Sequence, residues 1–204
     1  MEGKMILRGP NDGYATGTVP VKPVKSDPAA KSDRDTYLAA CAKYGVAADA
    51  AILEAFNSGA QVLDLSGQKI CLNGALALLA GLQQNHGIKK VILKDNAIGS
   101  KGHGRYRFTH KLYELEYFLT NLLKDRDLEE INLDHNDLDD RAAKAIGSML
   151  GGAEKLKSLS LNENLITDKG ADAIGLGLVK NRHLEKLELG NNQIGDAGAW
   201  GLFY

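Results

Sequence analysis

A repeated pattern of leucines constrains this chain more than any other feature. The pattern L-x-x-L-x-L-x-x-N-x-[IL] recurs from about residue 60 to the end of the sequence. Its copies begin near residues 60, 88, 128, 156 and 184, so three intervals are 28 residues long and one is 40. A fixed period of this length indicates stacked units that contact their neighbours in sequence, which is the arrangement of a solenoid.

The second part of each copy has the spacing of a helix. In the third copy, Ala142, Ala145, Ile146 and Met149 recur at helical intervals, which places them on one helix face. A lone strand or a lone helix would leave its apolar face exposed, so the two must pack together. The sequence therefore predicts an α/β fold of about five strand-helix units, with a parallel sheet on the concave side and helices on the convex side.

An asparagine follows each strand of the pattern, as Asn96, Asn136, Asn164 and Asn192, and Gln68 takes this place in the first copy. A side-chain amide can both donate to and accept from backbone groups that have left the sheet ladder. We therefore expect these residues to hold the turn by which the chain leaves each strand.

The last copy, L-E-K-L-E-L-G-N-N-Q-I-G-D-A-G-A from Leu184 to Ala199, resembles the ribonuclease-inhibitor type of leucine-rich repeat. The resemblance covers about residues 60–204 and implies a curved scaffold that binds other proteins. The segment Y-L-A-A-C-A-K-Y-G-V, which precedes L-D-L-S-G, also resembles the N-terminal caps of ciliary and flagellar leucine-rich repeat proteins.

Three regions follow from composition and pattern. Residues 1–31 contain all four prolines of the chain and predict an extended tail. Residues 32–59 predict a helical N-terminal cap, with Ser32 as the first N-cap, which covers the open end of the solenoid. Residues 60–204 form the leucine-rich repeats.

Composition narrows the class of partner. The net charge of −1 argues against attraction to nucleic acid or to a membrane surface, which needs a basic excess. The first ten residues lack the apolar core of an export signal, and no apolar run is long enough to span a bilayer.

The two cysteines, Cys41 and Cys71, lack metal-type spacing, so we expect both to be reduced thiols that pack in the fold. The expected location is the cytoplasm, and no cofactor, metal or small-molecule substrate is expected.

The 40-residue interval contains a 12-residue insertion near residues 103–114 in which basic and aromatic side chains alternate. Three readings remain open: a longer helix with solvated arginines, a contact with an acidic protein, or stacking on single-stranded bases. The candidate binding residues are Arg105, Tyr106, Arg107, Phe108 and Lys111.

The strand positions between the inward leucines should form the concave face. These positions are mostly small or polar and mixed in sign, which suits a docking surface without a deep pocket. The candidate binding residues on this face are Lys90, Ile92, Lys94, Glu130, Asn132, Asp134, Lys186 and Glu188.

Aromatic residues concentrate at the C-terminal end, where Trp200, Phe203 and Tyr204 lie, although only 6% of the chain is aromatic. The fifth copy ends about two helical turns earlier than its sister copies. Either these residues fold over the last repeat, or the chain is a fragment, or they leave an apolar patch for a partner.

Sequence motifs of catalysis are missing: there is no phosphate-binding loop, no nucleophile elbow and no H-E-x-x-H. The leading hypothesis is a noncatalytic scaffold or adaptor in a large assembly, with a cytoskeletal setting such as a cilium or flagellum. The alternative is a small-GTPase regulator similar to the Ran GTPase-activating protein, although that family has a longer array and an acidic tail. A third is an enzyme inhibitor resembling ribonuclease inhibitor, which is longer and richer in cysteine.

Overall fold

The computed structural model describes residues 32–99, 109–124 and 127–202, with the backbone alone for residues 109–112. The predicted tail and the insertion residues before Thr109 lie outside these ranges. Within them, two N-terminal helices precede a regular alternation of strand and helix. The elements are α1 (Asp33–Tyr44), α2 (Ala50–Ser58), β1 (Val62–Asp64), α3 (Cys71–Leu82), β2 (Lys90–Ile92), α4 (Thr109–Leu123), β3 (Glu130–Asn132), α5 (Asp140–Leu150), β4 (Ser158–Ser160), α6 (Asp168–Leu178), β5 (Lys186–Glu188) and α7 (Asp196–Gly201).

The five strands form one parallel sheet in chain order, β1-β2-β3-β4-β5. Each strand pairs with the next in the register that the repeat predicts. The middle residues of the strands, Leu63, Val91, Ile131, Leu159 and Leu187, therefore lie side by side and point toward the helices. This arrangement is that of a leucine-rich-repeat solenoid, which confirms the predicted fold class.

The core lies between the sheet and the helices and runs through all the repeats as one cluster. The leucine that ends the strand segment is fully buried in the first four repeats, as Leu65, Leu93, Leu133 and Leu161. Removing such a side chain from water contributes about 1.5–3 kcal/mol. The pattern leucines of the first four repeats therefore pack in the core and are not available to a partner, whereas those of the fifth repeat, Leu184, Leu187 and Leu189, are half-buried.

The asparagines after the strands link consecutive repeats. The Oδ1 atom of Asn164 accepts hydrogen bonds from the backbone N–H groups of Asn136 and Leu138, each at 3.0 Å. Its Nδ2 atom donates to the carbonyl oxygens of Leu133 and Leu161, each at 3.0 Å. Asn96, Asn136 and Asn192 repeat this arrangement with the repeat that precedes each of them. Within the described ranges β1 is the first strand of the sheet, so no described strand precedes it for Gln68 to bond, and asparagine is dispensable there.

The two N-terminal helices pack against the first repeat, α1 on α3 and α2 on β1. Ser32 caps α1 by accepting a hydrogen bond from the backbone N–H of Asp35 at 3.1 Å, as predicted. The rings of Tyr37 and Phe56 meet edge to face with centroids 5.9 Å apart. The phenol oxygen of Tyr37 accepts from the backbone N–H of Asp49 at 2.9 Å, and its burial raises the pKa of this phenol. Cys41 is buried and Cys71 is half-buried, and both are free thiols.

Candidate protein-binding surfaces

The side of the sheet that points away from the helices, here called the sheet face, carries two aligned rows of side chains. They come from the first and third residues of each strand, because successive side chains of a strand point to opposite faces. The first row is Val62, Lys90, Glu130, Ser158 and Lys186, and the second is Asp64, Ile92, Asn132, Ser160 and Glu188. All the candidate strand residues of the predicted concave face therefore lie together on one surface.

Charged side chains on the sheet face pair with one another at its surface. The Nζ atom of Lys90 lies 2.6 Å from a carboxylate oxygen of Glu130, and that of Lys186 lies 3.2 Å from Glu188. All four side chains keep at least 40% of their surface exposed to solvent. Such exposed pairs contribute about 1 kcal/mol or less, so a partner can replace them at little cost.

The edge of the sheet at β1 is more apolar and carries a fixed negative charge. Val62 is 52% exposed, an unusual value for a valine in a strand. The side-chain hydroxyl and the backbone N–H of Ser66 both donate to the Asp64 carboxylate, at 2.6 and 3.0 Å. These hydrogen bonds lower the pKa of Asp64, so its charge persists into mildly acidic solution. Lys94 lies exposed in the turn that follows β2.

Asp134 differs from the other candidates of the concave face because it is buried. Its Oδ1 atom accepts from the Ser160 hydroxyl at 2.6 Å and from the backbone N–H of Asn162 at 2.7 Å. Its Oδ2 atom accepts from the Asn132 amide at 3.0 Å. Asn162 in turn accepts from the backbone N–H of Gly190 at 2.6 Å. Asp134 therefore acts on the sheet face by fixing its neighbours in three consecutive repeats, and its own carboxylate is largely covered.

The other candidate residues do not join the sheet face. Trp200 lies in α7, in the helical layer, and is 66% exposed. Phe203, Tyr204 and Arg105 to Phe108 lie outside the described residues, as does the side chain of Lys111. Because α4 begins at Thr109, the last residues of the insertion are helical. The binding roles predicted for the insertion and for the C-terminal aromatics stay predictions.

The helical layer contains a surface that sequence reasoning missed. A groove of about 380 Å³ lies between α4 and α5, and a second of about 320 Å³ lies between α5 and α6. Both are lined in part by Lys144 and Ser148, so the two grooves adjoin. The sequence signal for this surface is Leu176, an apolar residue at an outward-facing position of α6. It is 74% exposed.

Two further properties concern the described ranges. In them, no helix is both long and apolar enough to cross a membrane. Nor does this part of the chain bring three or more His, Cys, Asp or Glu side chains together in a group that could hold a metal ion.

Comparison with protein-family models agrees with the architecture. A family model described as "Leucine Rich repeat" matches residues 124–147, 153–175 and 180–202, the segments that contain β3 to β5 and the helices after them. A solved structure titled "Leiomodin-1 Actin-Binding Site 2 (ABS2)" is 31% identical, with a TM-score of 0.41. That match covers 43% of this chain and 52% of the other, so the chain spans about half of that structure. Comparison with curated proteins finds no match. The matched segments and the strand-helix architecture together show that this chain is built from consecutive leucine-rich repeats, a fold that generally mediates protein-protein interaction.

Proposed function

We propose that this protein is a noncatalytic scaffold or adaptor that docks a protein partner on the sheet face. The observation that carries the proposal is the pair of aligned rows across five strands. The middle residue of each strand packs in the core or against it. Most residues of the two rows stay at least partly exposed. Side chains in continuous rows on the surface of a regular sheet can contact a partner without destabilising the fold.

The dimensions of the sheet face suit a helix or a loop of a partner. Neighbouring strands lie about 4.8 Å apart, so five strands span about 20 Å. Its charges alternate in sign, with Lys90 beside Glu130 and Lys186 beside Glu188, which favours a partner surface that carries both signs. The bonds around Asp134 hold the middle of the face in one arrangement, and such preorganisation reduces the entropy lost on binding.

The setting we propose is a large cytoskeletal or axonemal assembly in the cytoplasm, a cilium or a flagellum. This part rests on the resemblance of the segment from Tyr37 to Val46 to the caps of ciliary leucine-rich repeat proteins. In this proposal residues 32–59 cap the solenoid and residues 1–31 anchor it in the assembly. The insertion and the C-terminal aromatics would supply additional protein contacts. Nucleic acid, membranes and small-molecule substrates have no part in it.

Affinity capture from the cells that make the protein tests this function. The intact chain and a Lys90→Glu, Lys186→Glu variant would each be used as bait at moderate salt. The matched control is Lys155→Glu, Lys169→Glu, which reverses the same number of exposed charges away from the sheet face. We expect the intact chain and the control to recover the same structural proteins at fixed ratio, and the sheet-face variant to lose at least one of them.

Two outcomes would contradict the proposal. Equal recovery of every partner by the sheet-face variant would exclude this face as the docking surface. Recovery of a small GTPase in a nucleotide-dependent manner would instead favour the regulator alternative.

A further inference from the structure

The adjoining grooves on the helical side differ from the sheet face in both shape and charge. The first lies between α4 and α5 and the second between α5 and α6. From their lining residues we propose that they form one docking site for an acidic segment of a partner protein that also carries large apolar side chains. This site is separate from the sheet face and does not depend on the function proposed above.

The spacing between the helices is unequal, and the first groove lies where it is wider. A Cβ atom added to Gly177 would lie 2.1 Å from the carbonyl oxygen of Gly147, so α5 and α6 touch through their backbones. One repeat earlier, the 28-residue period places Leu119 and Met149 at the positions of Gly147 and Gly177. These side chains are larger than glycine, and α5 packs less extensively against α4 than against α6. The wider spacing leaves the first groove open.

Apolar side chains line both grooves and reach solvent. Tyr113 of α4 lies in the first groove and is 42% exposed, and Leu176 of α6 lies in the second and is 74% exposed. Ala142 and Ala145 of α5 are buried among the lining residues of the first groove. A leucine left this exposed stabilises little in the folded chain alone, and exposed apolar surface next to a groove is typical of a binding site.

The charges around the grooves are mainly positive. Arg141, Lys144 and Lys180 line them, and Glu116 is the one carboxylate among the described lining residues. Arg141 contacts the carboxylate of Asp139 at 3.1 Å. Across the described ranges neither Lys144 nor Lys180 forms an ion pair, whereas the sheet-face lysines Lys90 and Lys186 both do. Two unpaired ammonium groups beside exposed apolar surface favour an acidic occupant by charge complementarity.

The occupant must therefore combine carboxylates with leucine-like or aromatic side chains. Its carboxylates would meet Lys144, which borders both grooves, and Lys180 at the far side of the second. Its apolar side chains would contact Tyr113 and Leu176. A basic or purely apolar segment would leave the two ammonium groups without a partner, so it should bind more weakly.

Selection from a library of random 16-residue peptides against the full chain tests the proposal. We expect the enriched peptides to be rich in Asp and Glu together with Leu, Phe or Trp. For synthetic copies of these peptides, Lys144→Glu with Lys180→Glu should raise the Kd at least about tenfold, and Leu176→Ser should raise it severalfold. Raising the salt concentration should also weaken binding, because the cations involved are exposed to solvent.

The control is Lys90→Glu with Lys186→Glu on the sheet face, which should leave the Kd of these peptides unchanged. Circular dichroism would show that each variant is folded, which is expected because Lys144, Leu176, Lys180 and Lys186 are exposed and the Lys90 side chain is 40% exposed. Enrichment of basic or uncharged peptides, no enrichment at all, or acidic peptides that bind the groove variant as tightly as the intact chain would overturn the proposal. Loss of binding in the sheet-face control would also overturn it, whereas failure of the proposed function would leave these results unaffected.

Discussion

Replacement of Asn164 by alanine tests whether the buried asparagines hold the solenoid together. Asn164 is 4% exposed, and its amide joins the third repeat to the fourth. Alanine removes both the acceptor and the donor while the backbone groups that they served stay in place. The effect should therefore be much larger than that of a typical surface substitution, which lies within about 0.5 kcal/mol.

The size of the effect follows from counting the backbone groups left without a partner. The N–H groups of Asn136 and Leu138 lose their acceptor, and the carbonyl oxygen of Leu133 loses its donor. The carbonyl of Leu161 keeps a hydrogen bond from Asn192 at 2.9 Å, so it does not count. A buried polar group without a partner costs about 1–3 kcal/mol. Three such groups give a loss of at least about 3 kcal/mol, which is a large part of the roughly 5–15 kcal/mol that stabilises a domain.

Urea unfolding followed by circular dichroism measures this loss. With a slope near 2 kcal/mol/M, a change of 3 kcal/mol lowers the midpoint by about 1.5 M. Asn192→Ala is the matched comparison, because it leaves two backbone groups without their partner, the N–H of Ile166 and the carbonyl oxygen of Leu189. Asn192 is also half-buried, so water can replace more of what is lost. We expect Asn192→Ala to lower stability by about 1–2 kcal/mol.

A change of less than about 1 kcal/mol in the free energy of unfolding of Asn164→Ala would show that Asn164 does not hold the repeats together. Equal losses for Asn164→Ala and Asn192→Ala would contradict the expected difference, because that difference rests on the number of backbone groups left unpaired.

Three other perturbations should have clear outcomes. Gly147→Val should lower the melting temperature strongly, because an added Cβ would lie 2.1 Å from the carbonyl oxygen of Ala173. Gly152→Ala should leave the melting temperature nearly unchanged, because the nearest atom to its added Cβ is 3.8 Å away. Leu133→Asp should abolish cooperative thermal melting, because it removes about 1.5–3 kcal/mol of burial and places a carboxylate in the core. Burial raises the pKa of Tyr37. The folding stability that its neutral phenol contributes is therefore complete below the unfolded pKa of about 10 and is lost as the pH rises through the folded pKa. Tyr37→Phe should accordingly reduce the fall in the urea midpoint between pH 8 and pH 11.

The sequence was sufficient to predict the sheet because the repeat determines its register directly. Once Leu63, Val91, Ile131, Leu159 and Leu187 are placed at equivalent positions, a shift of one residue in any pair would turn its apolar side chains toward solvent. The same alignment places Lys90 next to Glu130, as the structure has them. Membership of the two rows was therefore predictable, since it depends on periodicity alone.

The burial of Asp134 was not predictable from periodicity. Asp134 follows Leu133 at a position that is exposed as Lys94 in the second copy and half-buried as Asn162 in the fourth. It is buried because Ser160 and Asn162 of the next repeat both donate to it. Hydrogen bonds between side chains of adjacent repeats depend on pairs of residues, and a pattern that compares each copy with the average repeat does not contain that information.

The first groove on the helical side escaped prediction for a different reason, since it depends on the distance between helices. Gly147 and Gly177 bring α5 and α6 into backbone contact, while the previous pair has Leu119 and Met149 at these positions and packs less extensively. The sheet cannot follow such differences, because its hydrogen bonds fix the spacing of the strands. Variation between repeats must then appear on the helical side, as grooves of different width and charge. A solenoid of this kind can keep one regular face for one partner and vary the opposite face for another, and the core between them allows the two surfaces to be altered independently.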